Sequence, residues 1–317
     1  MDGIEGISVV VPVYNSEATL QPLVTRLRAV LKPLCLPHEI ILVNDGSRDA
    51  SWRRIEALAG EFSELRVLDL MRNYGQHNAL LCGIREARYD VTVTLDDDLQ
   101  NPPEELPLLL AKLQEGYDVV YGTPTTASHG FLRNAASWLT KVVLQETMGA
   151  SSAKSVSSYR AFRTRIRDAF CHYSSPNVSI DVLLTWGTNR FASTEVRHDQ
   201  RVAGASTYTF MKLMSHAFSM ITGFSLLPLQ IATFLGFAFT FVGLAVFLFV
   251  LLNYLVRGAT VPGFTFLACT IAIFSGVQMF ALGIFGEYLA RIHFRTMERP
   301  VYLVRAKIVA GDADFDA

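Results

Sequence analysis

Three consecutive carboxylates, Asp96, Asp97 and Asp98, follow the apolar run VTVTL and precede LQNPPEE. On an extended chain the first and third would stand about 6.6 Å apart on one side. At an effective dielectric near 20 their repulsion is on the order of 2–3 kcal/mol. Such a cluster calls for positive charge between or beside the carboxylates. Three further polar clusters share this context, each just after an apolar run. Pro12, Tyr14 and Asn15 end ISVVVPVYN, Asp45-Gly46-Ser47 follows EIILVN, and Arg72-Asn73 follows LRVLDL. Neither a dinucleotide-binding GxGxxG nor a P-loop signature occurs, so neither explains the clusters.

The elements that must position these residues are legible in the alternation of the chain. Strand-like segments at 7–13, 39–44, 65–70, 91–95 and 118–122 alternate with segments of helical period, such as 19–31 and 51–62. Near-continuous Val/Ile/Leu strands between helices predict an α/β domain with a mainly parallel sheet covered on both faces. Sheets of that kind bind ligands outside the carboxyl ends of their strands. All four polar clusters should therefore share one edge. The rhythm is lost from 123 to 157, and further strands are expected at 158–162 and 191–198.

Half of the 317 residues are hydrophobic and the mean hydropathy is +0.29, but the excess is local. No Asp, Glu, Lys or Arg occurs at 213–256 or at 258–286. Two apolar runs within these windows, 226–256 and 264–285, each meet the length of about 20 residues needed to cross a bilayer. They read as a transmembrane hairpin rather than a pair of buried core helices. Basic residues follow the second run (Arg291, Arg295, Arg299, Arg305, Lys307), whereas the linker carries only Arg257. The positive-inside rule then places both termini in the cytoplasm. The preceding segment, 207–224, is apolar and aromatic and reads as an interfacial helix. A net charge of −1 gives no field for nucleic acid. Cys35, Cys82, Cys171 and Cys269 are scattered and read as reduced thiols. The first residues read as a strand, not a signal peptide.

With VVVPVYN, ILVNDGSRD, RNYGQHNAL, DDDLQNPPEE, SYRAF, RVAGASTYTF and GEYLARI in view, the chain resembles the family 2 glycosyltransferases. The likeness is to their polyprenyl-phosphate branch, and RNYGQH with LQNPPEE lies nearest its arabinose-transferring members. It implies a GT-A domain at 1–206, a juxtamembrane amphipathic helix at 207–225, a transmembrane hairpin at 226–286 and a cytoplasmic tail at 287–317. It also implies a bacterial inner-membrane enzyme that moves a sugar from a nucleotide-sugar donor, a UDP-sugar such as UDP-glucose or a UDP-amino-sugar, to undecaprenyl phosphate. Family precedent adds a homo-oligomer, a tetramer.

The resemblance assigns roles residue by residue. Asp96 and Asp98 match the family's metal-holding D-x-D pair, and Gln100 a further ligand. Oxygen donors suit Mg²⁺ or Mn²⁺, which would be the positive partner that the carboxylates call for. Pro12, Tyr14, Asp45, Arg72 and Asp97 fall on the nucleotide side of the site. The family often has Glu directly after its Tyr-Asn pair, where this chain has Ser16 and then Glu17, so the nucleotide contact there stays open between the two. Arg133 and Arg201 match the arginines that hold the acceptor phosphate. A lipid phosphate is already anionic and needs no general base, only in-line placement, so a single inverting displacement is expected. Processive polysaccharide synthases share the D-x-D region but carry a Q-x-x-R-W motif absent here. A non-catalytic nucleotide-sugar-binding scaffold for a lipid flippase is the alternative outside enzymes.

Overall fold

The computed structural model describes residues 3–124, 156–175, 178–199, 227–257, 263–297 and 299–309. They fall into two compact units: Met1–Leu213 with Arg299–Ala317, and Met214–Glu298. The first unit opens with β1 (Ile7–Val13), α1 (Glu17–Leu31), β2 (His38–Asn44), α2 (Ser51–Glu61), β3 (Leu65–Leu70), α3 (Gln76–Glu86) and β4 (Val91–Thr94). It continues through α4 (Leu106–Gln114), β5 (Val119–Pro124), β6 (Arg160–Arg163), α5 (Ile180–Thr185) and β7 (Phe191–Val196). A last strand, β8 (Val304–Val309), comes from the C-terminal segment.

The eight strands form one mixed sheet in the order β7-β5-β6-β4-β1-β2-β3-β8. β4, β1, β2 and β3 run parallel, as the Val/Ile/Leu runs require. Val9, Val11 and Val13 join the core beside Leu20, Leu23, Val24 and Leu27 of α1 and Leu106, Leu109 and Leu110 of α4. On the opposite face, Val10 and Val43 approach Gly83 of α3, where a Cβ would lie 2.4 Å from Val10 Cγ1. Both faces are thus covered. Because β1 pairs with β2 on one side and β4 on the other, chain direction across the sheet reverses there. That reversal opens a crevice between the ends of β1 and β4.

Two antiparallel strands depart from the expected parallel pattern. β6 inserts between β4 and β5 and runs antiparallel to both. β8 runs antiparallel to β3 and closes the far edge. Within the expected tail at 287–317, residues 304–309 are built into the sheet. Its alternation of Val, Ala and Ile with Arg305 and Lys307 is that of an edge strand, with half-buried and exposed positions alternating.

In the second unit, α6 (Leu227–Arg257) and α7 (Phe264–Thr296) contain two candidate membrane spans, Leu229–Asn253 and Ile273–His293. α7 continues ten residues beyond the expected end of the hairpin at 286. Phe239 meets Phe274 edge-on with ring centroids 6.0 Å apart. Phe241, Phe247, Phe249 and Phe280 are exposed, a surface that suits lipid rather than water. The expected interfacial helix at 207–225 lies outside the described residues.

Candidate active site

The carboxyl ends of β1, β2 and β4 open onto a cleft of about 1000 Å³. Pro12, Tyr14, Ser16, Glu17, Asp45, Asp96, Asp97 and Asp98 all line it, together with Asp49, Arg54, Asn73 and Gln76. The residues expected at one sheet edge thus meet there, and both candidates at 16 and 17 face the same space. Arg72 does not line this cleft; its guanidinium stacks over Tyr74, 4.6 Å from the ring centroid. Gln100 is not among its lining residues. Arg133 and Arg201 are outside the described residues.

Each carboxylate of the acidic turn has its own surroundings. Asp96 is held on both oxygens: Gln76 Nε2 donates to Oδ1 at 2.6 Å and Ser158 Oγ to Oδ2 at 2.6 Å. Asp97 bridges the crevice, accepting from the Tyr14 amide at 3.2 Å. Burial pushes its carboxyl up to about 6, against the bonds from the Ser16 hydroxyl and the Tyr14 amide; the charges of Asp96 and Asp98 add to the rise. Asp98 Oδ1 accepts from the Gln100 amide at 3.1 Å. Between them Leu99 has φ 60°, a left-handed conformation that costs a non-glycine residue about 1–2 kcal/mol. Burial of its side chain, 4% exposed, offsets that cost and fixes the turn.

Asp45 is 2% exposed, yet it reaches the cleft wall. Its oxygens accept from the amides of Tyr74 at 2.7 Å and Gly75 at 2.8 Å. Burial raises its pKa, and those two bonds only partly oppose the rise. Two glycines make this geometry possible. Gly75 has φ +96°, and at Gly46 a Cβ would stand 2.5 Å from Arg72 C and Asn73 N. The turn after β2 and the loop after β3 therefore pack backbone to backbone.

Residues without a role in the motif pattern complete the edge. Ser158, just before β6, and Gln76, first in α3, hold Asp96. The amides of Ser16 and Glu17 at the start of α1 donate to Ser51 Oγ at 2.9 Å and Asp49 Oδ2 at 3.3 Å, a cap supplied from the start of α2. Asn44 Nδ2 donates to Asp69 Oδ1 at 2.6 Å, and both side chains are buried. A sequence signal existed for Asp69: it is the one acid inside the apolar strand LRVLDL.

Among the described residues no three His, Cys, Asp or Glu side chains stand as a metal-holding group. The acidic turn fits a divalent cation in a different way. Asp96 and Asp98, with Gln100 on the same turn, carry hard oxygen donors at the cleft, and hard cations complete their shell with substrate oxygens and water.

Residues 8–172 match the model of a family described as glycosyl transferase family 2. The undecaprenyl-phosphate 4-deoxy-4-formamido-L-arabinose transferase of Shewanella sediminis is 36% identical over 98% of this chain and 94% of its own length. The enzyme of the same description from Yersinia enterocolitica is 34% identical over 98% and 95%. Among solved structures, glucosyl-3-phosphoglycerate synthase from Mycobacterium tuberculosis, with Mn²⁺, UDP and phosphoglyceric acid, superposes with a TM-score of 0.52. It is 19% identical, over 69% of this chain and 76% of that one. Mannosyl-3-phosphoglycerate synthase from Rubrobacter xylanophilus gives a TM-score of 0.52 at 17% identity, over 68% and 71%. Likeness at that level shows the shared GT-A fold.

Proposed function

The chain belongs to glycosyl transferase family 2, and from that premise we propose that it transfers a sugar from a nucleotide-sugar donor to undecaprenyl phosphate at a bacterial inner membrane. The observation that carries this reading is the end-to-end likeness to undecaprenyl-phosphate sugar transferases, 36% over 98% of the chain, both apolar helices included. A UDP-activated amino sugar is the donor we assign first, since the relatives are described as transferring a formamido-arabinose.

The cleft has the parts for such a donor. Pro12, Tyr14 and Asp45 line it, and we assign them to the base. Asp96 and Asp98, with Gln100, would hold a Mg²⁺ or Mn²⁺ ion, which would supply charge to offset the leaving diphosphate. Asp96, held on both oxygens, keeps the acidic turn in place. The acceptor phosphate needs orientation rather than deprotonation, and Arg133 and Arg201 are assigned to it from the motif pattern. One in-line displacement inverts the anomeric centre.

The test is incubation of the purified full chain with undecaprenyl phosphate, Mg²⁺ and a panel of nucleotide sugars, followed by mass analysis of the lipid. A polyprenyl-monophosphate sugar formed by wild type, and lost in Asp98→Ala or in excess EDTA, is expected. No glycolipid from any sugar would remove the transferase reading, and full activity in EDTA would remove the metal. For topology, reporters placed before Met1 and after Ala317 are both expected in the cytoplasm; either one outside would overturn that orientation.

A further inference from the structure

β8 does more than close an edge. Its pairing with β3 shifts register between Asp69 and Leu70: Asp69 faces Ala306, and Leu70 faces Val304. Arg305 is thus the extra residue of a β-bulge, a device that re-aims a side chain. Its guanidinium donates from Nη2 to the Met71 carbonyl at 2.8 Å, and Nη1 stands 3.3 Å from Asp69 Oδ2. The Met71 amide in turn donates to the Leu303 carbonyl at 2.9 Å. Met71 is therefore gripped at both backbone groups by the C-terminal segment, directly before the Arg72–Gly75 loop.

From Asp69 a line of hydrogen bonds runs along the sheet edge into the cleft. Asn44 Nδ2 donates to Asp69 Oδ1 at 2.6 Å, the Ser47 amide to Asn44 Oδ1 at 3.3 Å, and the Asn15 amide to Ser47 Oγ at 3.0 Å. Asn15 lines the cleft beside Tyr14. A second route passes through the loop itself, because Tyr74 and Gly75 donate to Asp45. Both routes start at the one arginine. Its partner Asp69 has a side chain only 3% exposed, so the contact is anchored in the protein although Arg305 itself is 55% exposed.

We propose that Arg305 is a positioning residue for the donor pocket: the segment that follows the apolar helices braces the Arg72–Gly75 loop and, through Asp69 and Asn44, the turn after β2. This rests on the donor reading of the cleft, but the brace can be measured without it. In the full chain in detergent, hydrogen exchange of peptides covering 71–75 is compared between wild type and Arg305→Ala. Roughly three- to tenfold faster exchange is expected there, the lower figure reflecting solvent screening of the half-exposed arginine. Peptides covering 7–13 should be unchanged. UDP with Mg²⁺ is then titrated calorimetrically, and undecaprenyl phosphate binding is measured alongside. UDP affinity is expected to fall roughly three- to tenfold in the variant with lipid affinity unaltered. Arg305→Lys should restore part of it, since a point charge can pair with Asp69 but cannot span both acceptors. Unchanged exchange at 71–75 would overturn the brace. Faster exchange with unaltered UDP affinity would overturn the link to the pocket. Failure of wild type to bind UDP at all would strike the donor reading instead, and the exchange result would still decide the brace.

Discussion

Replacing Asp45 by asparagine tests what holds the loop after β3 against the cleft. The side chain keeps its shape but has one acceptor, so its amide nitrogen must face the Tyr74 or the Gly75 amide, donor against donor. Losing one charge-assisted bond costs about 1.5–3 kcal/mol. Removing a buried charge returns part of that, because the ionised carboxyl has been taken out of water. A net loss of about 1–2 kcal/mol is expected, or about 2–8 °C in Tm for a domain of this size. The pH dependence carries the sharper test. Burial raises the pKa of Asp45 in the folded protein. Its ionisation therefore costs stability, and its contribution declines as pH rises through the carboxylate range. Asparagine does not titrate, so the Tm gap between wild type and Asp45→Asn should be larger near about pH 4 than near about pH 7. Thermal melts of both proteins in detergent at the two pH values measure it. A gap that widens towards neutral pH would show that hydrogen bonding, not desolvation, governs this carboxyl. No gap at either pH would show that the two amide bonds do not hold the loop.

Ser158→Ala removes one of the two donors on Asp96, a bond of about 1.5–3 kcal/mol to a charged acceptor. Turnover is expected to fall about tenfold or more, with the melting temperature little changed, because Ser158 is half-buried and outside the hydrophobic core, where water can replace its bond; normal turnover would show that Asp96 needs no such restraint. Arg201→Ala should raise the apparent KM for undecaprenyl phosphate or lower turnover while leaving nucleotide-sugar affinity nearly unaltered. Steady-state kinetics with both substrates varied decides it, and a loss confined to donor affinity would place Arg201 on the other substrate.

The parallel half of the sheet was legible because its signal is local. Runs such as ISVVVPV and EIILVN are apolar throughout, which only a strand covered on both faces tolerates. The convergence of Tyr14, Asp45 and Asp96–Asp98 followed from one topological rule, and the cleft lies where that rule put it. The antiparallel strands were harder for opposite reasons. β6 was expected as a strand at 158–162 and stands at Arg160–Arg163, but its antiparallel direction and its place between β4 and β5 come only from the pairing. β8 carries a clear alternation, but it follows two apolar helices, and proximity in sequence hides its return to β3. Supporting contacts were least legible. Asp49 capping α1, Ser158 on Asp96, and Arg305 on Asp69 join residues 32, 62 and more than 200 positions apart. No periodicity encodes such pairs; only the folded sheet edge brings them together.

The electrostatics of the cleft say why that edge is so heavily braced. Six carboxyl side chains line it (Glu17, Asp45, Asp49, Asp96, Asp97 and Asp98) against a single guanidinium, Arg54, among the lining residues. Left free, those groups would turn outward to water and to one another's counterions. Instead, the fold pins five of the six: Asp45 by two loop amides, Asp49 by the Ser51 and Glu17 amides, Asp96 by Gln76 and Ser158, Asp97 by Tyr14, and Asp98 by the Gln100 amide. Neutral donors do most of this pinning, so the negative potential of the cleft is fixed in place but not cancelled. A diphosphate entering such a space adds charge of the same sign, and its repulsion grows as water is excluded. On the proposed reading, a donor of that kind would bind together with a cation, and the turn carrying Asp96, Asp98 and Gln100 would supply its hard oxygen ligands. The same physics explains the cost accepted at Leu99: a strained, buried turn holds the carboxylates at the crevice mouth, where an unstrained one would let them separate.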